Sequence, residues 1–380
     1  MTQPPTWGSG PTGQPPGGWQ GQPGPQGQWG AQPPWPAPPA PKSGGPWKWI
    51  AAASALVAVI AVTAVVAVSC DRNGGGTSNN TGNTGGGAKP ATSGTASDVA
   101  SANDTGPVGI ITEDPSCAPW MPINNTLAGI EKNGWDKRDP SVPATSWTPD
   151  VRAQYEAIGA ALRNAADQAV PLAKMTPHRV MRELYGQFVA YSRVYADSIA
   201  NYTSVDNALA RAGSTAGLTL TAVCSAISSG SAAARAPMVS ALSAPSSVAP
   251  VGDLSNPQRM FDTPDVVCAD IGSTLDQLLL SPEFKSWFNT DPSVPASSQT
   301  PEVLALSAAV APVMSSTADA LEKLAAKSSN PIVQDFILLG VQYRRAYVQA
   351  LPTYQPNDQY VYSAGQRAPG VVAGACEKTG

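Results

Sequence analysis

The sequence predicts an all-α protein: two tandem helical bundles, each closed by a disulfide, after a disordered head, one transmembrane helix and a flexible linker. Three observations carry that prediction. A charge-free run of about twenty residues follows a head rich in Pro and Gly. Beyond it, one pattern of residues occurs twice at an offset of about 152. Within each occurrence, apolar side chains recur at alternating steps of three and four, the period of an α-helix.

Composition narrows the function. Of 380 residues 38 are Pro and 35 are Gly, and only 13% are charged, so much of the chain is poorly suited to a packed core. A net charge of −4 lacks the basic face that a nucleic-acid binder needs. The single His excludes multi-His metal sites, and no cofactor is expected.

Residues 1–48 hold 14 Pro and 11 Gly, with Trp7, Trp19, Trp29 and Trp35 spaced roughly ten apart. Such a segment stays disordered with polyproline-II character. Two readings are open: a docking tail for a cytoplasmic partner, or a solvated tail. Residues 49–69 form the predicted membrane crossing. Ile50 to Ser69 carries no charge, and at 1.5 Å per residue it spans a core of roughly 30 Å. Trp47 and Trp49 stand where interfacial anchors belong, and Lys42 and Lys48 place the N-terminus in the cytoplasm. The chain is thus expected to cross the plasma membrane once, with its C-terminal part outside the cytoplasm. Cys70 ends a weak lipoprotein-like processing pattern; an uncleaved anchor is the reading taken. Residues 70–110 read as a flexible Gly/Ser/Thr linker.

The duplication sits in the remainder, read as helical repeat 111–227, Ala/Ser/Pro-rich connector 228–264 and helical repeat 265–380. WDKRDPSVPATSWTPDV from Trp135 answers WFNTDPSVPASSQTPEV from Trp287. In the same register Asp167 falls on Asp319, Gly213 on Gly365 and Cys224 on Cys376. Cys117 and Cys268 match one residue out of step. Four cysteines allow three connectivities. A unit that arose alone must close its own bridge, which favours Cys117–Cys224 and Cys268–Cys376 in an oxidising compartment.

Thr148-Pro149-Asp150 and Thr300-Pro301-Glu302 read as helix starts, as do Thr176-Pro177 and Asn330-Pro331. Stripes follow: Tyr155, Ile158 and Leu162, then Met181, Leu184, Phe188, Tyr191 and Tyr195. Phe336, Gly340, Tyr343 and Tyr347 answer the second stripe in the later half. Pro171 and Pro312 are expected to kink or end their helices, and the late segment YSAGQRAPG to be irregular. One or two helical turns are expected near Ala233 to Leu242.

Searches for catalytic motifs find none: no H-E-x-x-H, G-x-S-x-G, Ser-x-x-Lys or P-loop. His178 occurs in one half only and reads as a surface residue. One constellation does recur. Tyr191, Arg193, Tyr195, Tyr202 and Asp206 are repeated as Tyr343, Arg345, Tyr347, Tyr354 and Asp358. It reads either as a groove for a glycan, peptide or lipid headgroup, or as core tyrosines flanked by an inter-helix Arg–Asp pair. Asp-Pro-Ser-Val-Pro-Ala is either a stiff connector or an exposed binding loop.

The Pro/Gly/Gln/Trp-rich head, the Ala/Val-rich span, the Gly/Ser/Thr linker and the Ala-rich domain with paired cysteines resemble Pro-rich single-pass envelope proteins of mycobacteria and related actinobacteria. That resemblance implies an envelope location and carries no catalytic residue across. The expected function is a non-enzymatic binding, sensory or scaffolding module, with an envelope protein, glycan or lipid as partner. The alternative is a carrier that holds a lipid or other apolar ligand between the helices of each bundle.

Overall fold

The computed structural model describes residues 98–379. The head, the expected crossing at 49–69, Cys70 and most of the linker lie outside the described residues. Among the described residues there are ten α-helices and no strand. In the first half these are α1 (Cys117–Glu131), α2 (Pro149–Met175), α3 (Arg179–Ser198) and α4 (Asn207–Ser228), followed by the short α5 (Ser231–Arg235). In the second half α6 (Ile271–Leu280) and α7 (Pro282–Phe288) stand where α1 does. Then come α8 (Pro301–Ala325), α9 (Pro331–Ala350) and α10 (Asp358–Thr379).

The starts follow their sequence. The Thr148 and Thr300 hydroxyls accept from Val151 N–H and Val303 N–H, each with Pro in the first turn and an acid after it. Asn330 caps α9. The start of α3 differs from expectation. Thr176 spends its hydroxyl on Asp114 at 2.5 Å, and the Arg179 N–H is taken by Asp104 Oδ2 at 2.6 Å. That cap comes from a segment far upstream.

Helices α2 and α8 do not end at Pro171 and Pro312. One expectation about a break is corrected. Helix α10 is continuous across YSAGQRAPG. Its Pro369 cannot donate to the Gly365 carbonyl, but Arg344 Nη2 reaches that oxygen at 3.3 Å. The connector holds α5 and one 3-10 turn that ends at Met238, short of Leu242.

The bridges are Cys117–Cys224 and Cys268–Cys376, so each closes a loop within one half. The DPSVPA segments are latched identically. Tyr202 Oη donates to the Pro140 carbonyl and Tyr354 Oη to that of Pro292, both at 2.7 Å. Ala144 N–H returns a bond to Tyr202 O and Ala296 N–H one to Tyr354 O, both at 2.9 Å.

The halves pack against each other. The most extensive helix–helix contact is α4 on α10, one helix from each half, and a single apolar core continues through both. Segments ahead of each first cysteine cross over. Ile111 N–H donates to Tyr343 Oη at 3.2 Å on α9. The connector answers on α3, where Met260 N–H donates to Gln187 Oε1 at 2.7 Å and Arg193 Nη1 to Ser255 O at 2.5 Å.

Close approach of α9 and α10 requires glycine at 365, where an added Cβ would meet Arg344 N at 2.9 Å. Gly365→Ala is expected to cost about 1–3 kcal/mol in chemical denaturation, because backbone must move. Gly272→Ala, with nothing within 4 Å of its added Cβ, is expected to gain up to about 1 kcal/mol.

Candidate functional site

The duplicated tyrosines lie on the buried faces of α3 and α9 and in the turns that follow. Tyr191, Tyr195 and Tyr202 are buried, as are Tyr343, Tyr347 and Tyr354. Tyr195 packs edge-on against Trp135 and Tyr202, and Tyr347 does the same against Trp287 and Tyr354. Burial pushes their hydroxyls well above the ordinary tyrosine range. They stay neutral at any physiological pH.

The arginines and aspartates of the set do not meet each other. Arg193 pairs with Asp167 on α2 at 2.6 Å, and Arg345 with Asp319 and Glu322 on α8 at 2.7 and 2.6 Å. Asp206 takes Lys378 of α10 at 2.6 Å, while Asp358 takes Arg235 of α5 at 2.7 Å. The last two pairs tie one half to the other. His178 is half-buried, and its Nε2 lies 2.9 Å from the Glu113 carbonyl.

The two halves differ at the aromatic cluster. In the first half Trp147 stacks on Tyr155 at a centroid distance of 3.9 Å. The matching residues of the second half are Gln299 and Ser307. Gln299 Nε2 keeps the indole's bond, donating to Val294 O at 3.0 Å where Trp147 Nε1 donates to Val142 O at 2.9 Å. The lost bulk is partly made up by Tyr362 of α10, 5.1 Å from Tyr347. A pocket of about 20 Å³ remains, lined by Gln299, Ser307, Tyr347 and Tyr354 among others. It has room for about one water.

A second cluster, at the junction, was not singled out from sequence. Arg179, Arg182 and Glu183 of α3 and Asp335 of α9 are all buried. Arg179 donates to both Asp335 oxygens, at 2.6 and 3.1 Å, and to the carbonyls of Asp104 and Gly106 at 2.7 and 3.2 Å. Arg182 Nη2 lies 3.7 Å from Glu183 Oε1. Glu183 and Asp335 stand 152 apart, at matching positions, so equivalent carboxyls face each other across the junction. Burial first, and then the Asp335 charge, push the Glu183 carboxyl well above the usual carboxylate range. Neither Glu183 oxygen has a hydrogen-bond partner, so this carboxyl is buried with only Arg182 near it as a counter-charge. The readable signal was an acid at the same register of α3 and α9.

Two further cations, buried Arg344 and half-buried Arg367, were also missed; desolvation pulls both down to about 10, and among the described residues neither is in an ion pair. Arg344 Nε and Nη1 have no acceptor. Among the described residues no group of three His, Cys, Asp or Glu is placed to hold a metal ion.

A family model described as mycobacterial ESX-1 associated protein matches residues 99–380, the whole of the helical domain. The chain belongs to that family. An uncharacterized protein of Mycolicibacterium smegmatis (strain MKD8) is 43% identical to this ESX-1 associated chain over 343 residues, covering 89% of it and 88% of the relative. No solved structure matches it. The mycobacterial side of the resemblance thus holds.

The raised Glu183 carboxyl sets a pH dependence. The folded state holds that proton above pH 4.5 whereas the unfolded chain releases it, so this group's contribution to stability falls as pH rises from 4.5 toward the folded value. Glu183→Gln supplies an amide donor that does not titrate. The variant is expected to gain on wild type in urea melts as pH rises above about 4.5, the gap widening toward neutrality. Asp335→Asn, which removes the nearer of Arg179's two carboxylate partners, is expected to lose about 3 kcal/mol.

Proposed function

We propose that this chain is a single-pass, membrane-anchored envelope protein whose extracytoplasmic helical domain is a non-enzymatic binding and scaffolding part of the ESX-1 secretion apparatus. The observation that carries the reading is the family match, which spans both helical halves and the connector between them. Two disulfides fit a domain held in an oxidising compartment. The charge-free segment from Ile50 to Ser69 supplies the anchor, and the linker after it gives the domain a reach of a few tens of Å.

The packing favours recognition by the outer surface over carriage of an apolar ligand. A carrier needs a cavity along the tyrosine stripe. Instead Tyr191, Tyr195, Tyr202 and Tyr343 fill core, and the space beside Tyr347 and Tyr354 holds about 20 Å³. The duplicated Tyr/Arg/Asp set then serves to hold DPSVPA loops and helix pairs in place for whatever partner docks outside.

Deleting the chain from its mycobacterium is expected to reduce the ESX-1-dependent proteins in the culture filtrate, read by immunoblot against a secreted protein of another route. The full chain restores them, whereas a chain stopped after residue 97 does not. Unchanged secretion in the deletion strain contradicts the proposal.

A further inference from the structure

At its aromatic cluster the first half carries a cation that the second half lacks. Arg138 lies over the Trp135 ring, 3.8 Å from its centroid, and donates to the Trp135 carbonyl at 3.0 Å and to Asn207 Oδ1 at 2.9 Å. Its charge bears on the hydroxyls of Tyr155, Tyr195 and Tyr202. The second half has Thr290 at the matching place, and among the described residues no cation lies over Trp287. The pocket of about 20 Å³ falls at this locus. Trp287, Thr290, Ser307, Tyr347 and Tyr354 of its lining are the counterparts of Trp135, Arg138, Tyr155, Tyr195 and Tyr202.

The pocket is lined by oxygens that nothing in the chain uses. Ser307 is 6% exposed and Tyr347 4%, and neither hydroxyl has a hydrogen-bond partner among the described residues. Gln299 gives its amide N–H to Val294 O, which fixes the other atom, Oε1, as an acceptor. That oxygen is buried and unpartnered as well. Buried polar groups left in this state cost free energy, so an occupant that donates to them is favoured.

Charge selects among occupants. Asp291 lines the pocket and is exposed. The Ser293 hydroxyl and N–H donate to one of its oxygens, at 2.7 and 2.8 Å, and hold its carboxyl below the usual range. The charged side chains that bear on the Tyr347 and Tyr354 hydroxyls are Asp358 and Asp291, both acids. Arg235 takes Asp358, whereas among the described residues Asp291 is in no ion pair. An anion is repelled here, and a water leaves the Asp291 charge unanswered. The volume is too small for a guanidinium. A primary ammonium is about the size of a water, offers three donors and gains from the face of Trp287.

We propose that this pocket binds a primary ammonium group, carried by a small amine or a lysine side chain, in place of the cation that the first half supplies as Arg138.

The test uses the full chain in nonionic detergent micelles, with methylammonium chloride as the probe and saturation-transfer NMR read on its methyl protons. Wild type is expected to transfer saturation to methylammonium and not to methanol, its neutral counterpart. Tyr347→Phe and Ser307→Ala remove hydroxyls that hold nothing in the fold. Each is expected to keep the wild-type melting curve and to weaken methylammonium binding about ten-fold. Thr290→Arg, which installs the first half's own cation, is expected to abolish the transfer. Nα-acetyl-lysine methylamide, as a second probe, tells the sources apart. Saturation of its ε protons assigns the site to a side chain, and binding of methylammonium alone assigns it to a free amine. No transfer in wild type, equal transfer to methanol, or a transfer that Tyr347→Phe and Thr290→Arg leave unchanged overturns the proposal.

Discussion

Helices α4 and α10 approach so closely that a Cβ added at Gly374 would lie 3.3 Å from the Ala212 backbone nitrogen, and one at Gly370 would lie 3.4 Å from Thr215 Cγ2. Helix surfaces made of Ala, Gly and Thr have little apolar bulk of their own, and they gain from burial only when another backbone comes this near. Each half contributes one such helix and has no second with which to cover it. The contact therefore joins the halves rather than closing either. Its antiparallel sense, with Gly374 at Ala212 and Gly370 at Thr215, sets α3 beside α9 and brings Glu183 to Asp335.

The charges at the junction follow from that geometry. Arg179 is held by Asp335 and by two carbonyls of the leading segment, so the ion pair is bonded on several sides as a buried pair must be. Arg211–Glu377, Lys378–Asp206 and Arg235–Asp358 add ties between the halves nearer the surface. The exchanged leading segments complete the enclosure: residues near Ile111 lie on α9 and residues 255–260 on α3. A domain so cross-tied keeps its outer surfaces in fixed relation.

Much of this was readable from the residues. The Thr-Pro-Asp and Thr-Pro-Glu starts, the apolar stripes of α2, α3 and α9, and the cysteine spacing all report local chemistry, which survives into the fold. What did not read through depends on partners far away in the chain. Propensity marks Gly365 and Pro369 as breakers, but Gly340 opposite makes room for the proline ring and Arg344 satisfies the carbonyl it frees. Thr176 loses its capping role to Asp104, and Asp358 is bonded by an arginine of the connector. The recurring Tyr/Arg/Asp set was legible as a constellation. Its tyrosines line core and its charges pair with other residues, because helix neighbours, not sequence neighbours, decide who faces whom.

The central claim is that the two halves are one cooperative unit joined at α4 and α10. Native-state hydrogen exchange of the oxidised full chain in a denaturant series tests it most directly. The account predicts that the slowest amides of α3, α4, α9 and α10 share one opening free energy and one denaturant dependence, those of global unfolding. If the α9 and α10 amides exchanged through an opening that left α3 and α4 protected, the halves would be separate domains and the account would be wrong.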